Sequence, residues 1–99
     1  MRQLYIGLIS GTSIDCIDAA LVDCTEDKPL LLAHHEHPID LPTKQAIAAL
    51  CLPGDNEIER MGKLDIQLGC LFADAVNQLL TKAKLSNKDI VAIGSHGQT

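Results

Sequence analysis

Two β-type runs, residues 3–10 and 14–24, are separated by Gly11-Thr12-Ser13 alone. Three residues cannot carry a chain back across a sheet, which takes a dozen or more, so the two runs must pair antiparallel around a tight turn. In the second run Cys16, Asp18, Ala20 and Val22 share one face, while Ile17, Ala19 and Leu21 share the other. A third β-type run, 30–37, follows the short link 25–28 and extends the hairpin to a three-stranded antiparallel meander.

Beyond the meander the periodicity changes. Pro38 and Pro42 punctuate the chain, and 43–52 reads as a short helix. Pro53-Gly54-Asp55 is a stop, with Asp55 or Asn56 capping a long helix over 57–83. Ile58, Met61, Leu68, Phe72, Ala75, Val76 and Leu79 recur there at spacings of three and four. Gly62 and Gly69 lie on or beside that stripe and predict a close backbone approach; Asp65 beside them is either exposed through a register shift or buried with a partner, with a structural hydrogen bond favoured. After a loop at 86–89, a fourth strand over 90–94 follows a helix and so should run parallel to its neighbour. It delivers Ser95-His96-Gly97-Gln98 into a turn, the edge where α/β sheets present ligand-binding groups. The fold class is therefore α/β: meander, helices, parallel strand. A site half built at the last residue points to the N-terminal piece of a longer protein.

Composition narrows the partners. Apolar residues are 46% of the chain and aromatics only 2%, so the core is aliphatic and no stacking platform for single-stranded nucleic acid exists. A net charge of −5 without a basic stripe excludes nucleic acid as the expected partner, but not a nucleotide, which is held by backbone amides and bound cation. The four cysteines, at 16, 24, 51 and 70, form no CxxC pair and read as reduced core thiols of a cytoplasmic chain. No apolar run approaches the about 20 residues that span a bilayer, and the first residues lack a signal-peptide core, so no membrane role is expected.

The turn itself carries the chemistry. Gly11 lets a ligand approach the backbone, and the hydroxyls of Thr12 and Ser13 can donate to phosphate oxygens. Asp15 or Asp18 can hold Mg²⁺ through water or position a substrate hydroxyl. The plain alternative is a hairpin with a solvated tip; two acids in an otherwise apolar strand favour function. Neither GxxxxGK[ST] nor GxGxxG occurs, so any phosphate site here is a hairpin rather than a P-loop or dinucleotide fold.

Ser10-Gly11-Thr12-Ser13-Ile14-Asp15-Cys16-Ile17-Asp18 resembles the N-terminal hairpin of anhydro-N-acetylmuramic acid kinases, whose pattern is close to S-G-T-S-x-D-G-x-D. "AIGSHGQT", residues 92–99, is similar to that family's second signature, and the helix with "LG" and "LFADAV" falls where the family has one. The resemblance covers essentially the whole chain. It implies a ribonuclease H-like lobe of the sugar kinase, Hsp70 and actin superfamily, here the incomplete N-terminal part of a two-lobed kinase, with 1–99 forming part of the first ATPase-like lobe. It implies ATP-dependent phosphorylation of 1,6-anhydro-N-acetylmuramic acid at O6. Water opens the anhydro ring in the same reaction, which serves bacterial peptidoglycan recycling. Gly11, Thr12, Ser13, Ile14, Asp15, Cys16, Ile17 and Asp18 would then bind the ATP phosphates, with Asp15 and Asp18 toward Mg²⁺. His96, Gln98 and Thr99 would lie near the amino sugar. The catalytic base is expected later in the full-length protein, for which a homodimer is also expected. Another sugar as substrate, or a non-catalytic nucleotide-binding domain, stays open.

Two positions depart from the family pattern. Cys16 stands where the family usually has Gly, and Ile9 where many superfamily relatives carry an aspartate. His35 and His37 share one face of a strand and His34 and Glu36 the other, without a third ligand on either side, so the histidines read as solvated edge residues rather than a metal site. Ser95-His96 is no nucleophile elbow, because Ile93 fills its first glycine position.

Overall fold

The alternation of Leu4, Ile6 and Leu8 puts one face of the first strand into the core, and Ser10 continues the same face with no exposure at all. The computed structural model describes residues 2–11 and 13–98. The elements are β1 (Leu4–Ser10), β2 (Cys16–Asp23), β3 (Leu30–Pro38), α1 (Leu41–Leu50), α2 (Glu57–Ala83) and β4 (Ile90–Gln98), with one 3-10 turn at Asn87–Asp89. The sheet order is β3-β2-β1-β4. β1 pairs antiparallel with β2, β2 antiparallel with β3, and β4 parallel with β1. This is the meander followed by helices and a parallel strand that the sequence indicated.

The two faces of β2 separate as the alternation requires: Ile17, Ala19 and Leu21 are buried, while Cys16, Asp18 and Ala20 are half-exposed. α2 packs on β2 and β3 and closes the core with Ala75, Val76, Leu79 and Leu80. Only the C-terminal half of the helix is so covered. Toward its start Leu64 is buried, but Ile58 is 84% and Met61 59% exposed. The radius of gyration is 15.2 Å, against about 13 Å for a compact domain of this size; the described residues are drawn out, with extents of 51 × 24 × 19 Å.

Several sequence expectations are corrected. Gly62 and Gly69 admit no close backbone approach, since a Cβ at either would meet nothing within 4 Å. Asp65 is exposed and lines an open groove rather than joining a buried pair. Cys51 and Cys70 are exposed, and only Cys16 and Cys24 are partly covered. β4 does not turn after Gly94 but continues as strand through Gln98.

α1 starts two residues before the expected point. Pro42 is a starting residue, tolerated in a first turn because its missing N–H has no helical partner there. Asp40 is the cap: its carboxylate accepts from the Thr43 amide at 3.1 Å and from the Thr43 hydroxyl at 2.8 Å. Those donors hold the Asp40 carboxyl below the usual carboxylate range. A depressed folded-state value means the cap contributes fully above the unfolded value of 3.8 and is lost as pH falls through the folded value. Asp40→Asn keeps an acceptor and removes the titration. In a circular-dichroism acid titration its unfolding limb should be shallower than wild type below pH about 4; identical limbs would remove Asp40 from the acid response.

Candidate functional site

The β1–β2 turn is closed by the Ile14 amide donating to the Gly11 carbonyl at 3.1 Å. Ile14 takes the left-handed backbone conformation, φ 55°, where a β-branched side chain is a genuine outlier. Strain of this kind persists where surrounding structure over-determines it, and it clusters at ligand clamps. A Cβ built on Gly11 meets nothing within 4 Å, so the space beside its backbone is open to a ligand.

Two segments brace the turn. From the meander side, the Ile39 amide donates to the Asp15 carbonyl at 3.2 Å, and Lys44 on α1 donates to Asp15 Oδ1 at 2.7 Å. Lys44, by hydrogen bond and by charge, holds the Asp15 carboxyl below its usual value, with the Ser13 side chain adding a smaller push in the same direction. Asp15 is therefore ionised throughout the neutral range. From the far end of the chain, Gln98 on β4 reaches the same turn. Its Oε1 accepts from the Ser10 hydroxyl, and its Nε2 donates to the Gly11 carbonyl at 2.8 Å. The two signatures, 88 residues apart, thus form one structure.

Asp18 belongs to a different surface. It lies on the outer face of β2, where His34 Nε2 stands 3.3 Å from Asp18 Oδ1. The ligand atoms of Asp18, His34 and Glu36 all lie within 4.8 Å of one another. Strand alternation alone could not show this, because Asp18 comes from the neighbouring strand, directly opposite Glu36 in the register. Cys16, on that face too, has its thiol pushed up by burial and then by Asp18, so it stays protonated beside the carboxylates. His35 and His37 occupy the other face, Nε2 to Nδ1 at 3.3 Å, and burial pushes His35 down.

The expected site residues therefore divide. Gly11, Ser13, Ile14 and Asp15 form the turn; Cys16, Ile17 and Asp18 begin β2, with Ile17 buried in the core. Asp15 and Asp18, each expected from sequence as a candidate for Mg²⁺, take separate partners, Lys44 and His34. The carboxylates of Asp15, Asp18 and Glu36 are hard oxygen donors of the type Mg²⁺ takes, while the His34 imidazole suits a softer ion. His96 is exposed on β4. Thr12 and Thr99 lie outside the described residues. An apolar groove of about 520 Å³, lined among others by Ile14, Ile47, Leu64 and Gln98, opens beside the turn. Lys44 and Asp40 were the residues sequence reading missed; the Asp-x-Pro start of α1 is the signal that places them.

A model of the family described as anhydro-N-acetylmuramic acid kinase matches residues 3–99. Proteins of that name from Shewanella sp. (strain ANA-3) and Shewanella oneidensis are 54% and 52% identical to the chain over 98 residues. One from Shewanella woodyi is 49% identical over the same length. Each alignment takes in 99% of this chain and 27% of the relative, so the chain spans about a quarter of the length of the proteins it matches. Among the described residues no helix is long and apolar enough to cross a membrane.

Proposed function

Since the chain belongs to the anhydro-N-acetylmuramic acid kinase family, we propose that residues 1–99 form the N-terminal part of the first lobe of a longer cytoplasmic kinase, and that Gly11 to Asp18 bind the phosphates of ATP. The full-length enzyme converts 1,6-anhydro-N-acetylmuramic acid to the 6-phosphate of N-acetylmuramic acid, opening the anhydro ring with water. The observation that carries this reading is the junction of the two signatures: Gln98 grips the very turn whose glycine leaves open backbone.

The chain's own residues supply position and charge. The turn amides and the Ser13 hydroxyl face phosphate oxygens. Asp15, paired with Lys44, would hold Mg²⁺ through water; Asp18, on the outer face of β2 with His34, is not assigned to that ion. The ion when bound neutralises charge on the transferring phosphoryl group, and little else is asked of the protein in such a transfer. His96 and Thr99 are assigned to the sugar side of the site, whereas Gln98 turns to Ser10 and Gly11.

A first check is Gly11→Ala in the full-length kinase. The new methyl group meets no protein atom, so the melting temperature should not move. It enters the space proposed for phosphate at a cost of about 2 kcal/mol, or roughly thirtyfold in kcat/KM for ATP. Unchanged kinetics would take the phosphates away from Gly11. The reaction is tested by supplying Mg-ATP and the anhydro sugar in oxygen-18 water and weighing the product. A phosphorylated sugar carrying one heavy oxygen supports the proposal. A phosphorylated sugar with the ring intact makes it an ordinary sugar kinase. No product with this sugar overturns the substrate.

A further inference from the structure

The parallel pairing of β1 with β4 shifts once at Leu4/Tyr5, runs in step from Tyr5–Ala92 to Leu8–Ser95, then slips again: the next matched pair is Ser10 with Gln98. Between those pairs Ile9 of β1 is opposed by His96 and Gly97 of β4, a β-bulge. Gly97 sits in it at φ 76°, a conformation that costs any side-chain residue but not glycine. Without the extra residue, Gly97 would face Ser10 and Gln98 would be displaced from it. The bulge therefore exists in a place that puts an amide side chain against the phosphate turn.

That amide is used at both halves, the oxygen toward Ser10 and the nitrogen toward Gly11. The orientation is fixed by the chemistry of the two partners: a hydroxyl can give a proton to the oxygen, and a carbonyl can only accept from the nitrogen. Ser10 has no exposure to solvent, and a buried hydroxyl that loses its acceptor is costly. The braced carbonyl belongs to Gly11, where a Cβ would meet nothing within 4 Å. We infer that Gln98 is a positioning residue for the nucleotide phosphates, holding the Gly11 peptide at its working angle, and is not a ligand of the sugar. This rests on the phosphate-binding reading of the turn.

The test uses the full-length kinase with Gln98→Glu, Ser10→Ala and the pair together. Dissociation constants for Mg-ATP and for the anhydro sugar are measured separately by calorimetry, with kcat and both KM values. Gln98→Glu keeps an acceptor for Ser10 and loses the donor to Gly11. Each single variant should weaken ATP about tenfold and raise its KM. Sugar binding should stay within about twofold, and the pair should fall well short of the roughly hundredfold product expected of independent sites. Weaker sugar with unchanged ATP would make Gln98 a sugar ligand and overturn the inference. So would unchanged ATP binding in every variant, which would leave the clasp a feature of the fold alone. Should Gln98→Glu fail to fold, Ser10→Ala decides on the same readouts. Wild-type enzyme that binds no ATP would instead remove the phosphate-binding reading itself.

Discussion

Asp15→Ala is expected to cut turnover of the full-length kinase by about a hundredfold or more while leaving its melting temperature where it was. The two halves of that result have separate physical origins. The Asp15 side chain is 64% exposed and its partner Lys44 41% exposed, and ion pairs in solvent contribute little to stability. Its backbone carbonyl, which holds Ile39, is untouched by the substitution. What the variant loses is a carboxylate at the mouth of the turn, which Lys44 holds below its ordinary value. In phosphoryl transfer the protein mainly supplies fixed charge and position, so under the proposed function losing this carboxylate acts on the chemical step. A steady-state assay beside a thermal melt separates the two. Lost turnover with lost folding would make Asp15 structural, and retained turnover would remove it from the site.

Leu79→Ala carries the largest expected loss of stability. Leu79 has no exposure and sits on the buried half of α2 against the sheet. Truncating such a leucine costs about 3 kcal/mol, part transfer and part cavity. In a domain of this size that is roughly 15 °C of melting temperature. Ile58→Ala, on the same sequence stripe but 84% exposed, should change stability by no more than about 0.5 kcal/mol. Equal losses from the two would mean that the N-terminal half of α2 is covered by packing after all.

That pair also marks what the sequence could and could not reveal. A spacing of three and four identifies a helix and a stripe, and α2 runs over the predicted residues. Periodicity says nothing about what lies opposite, so Ile58 and Leu79 looked alike. Strand alternation assigned the faces of β2 correctly, because a strand's two sides are fixed by the chain itself. The Asp18–His34–Glu36 cluster was missed for the complementary reason: it depends on register between strands, which alternation does not encode. The glycines of α2 were misread because a missing side chain signals either close packing or bare exposure, and here it is exposure. The turn was legible from composition, since Gly, Thr and Ser between two β-type runs leave few options. The bulge was not: Ser95 to Gln98 read as a turn, whereas Gly97, at φ 76°, lies within a strand that continues to Gln98.

Hydrogen–deuterium exchange of the full-length kinase, with and without Mg-ATP, tests the central claim most directly. If the β1–β2 turn wraps the phosphates, peptides covering residues 10–18 should gain protection when nucleotide is added, and the peptide ending at Gln98 should gain with them because the two are clasped. Protection confined to other parts of the protein, with the exchange of 10–18 unchanged, would contradict it.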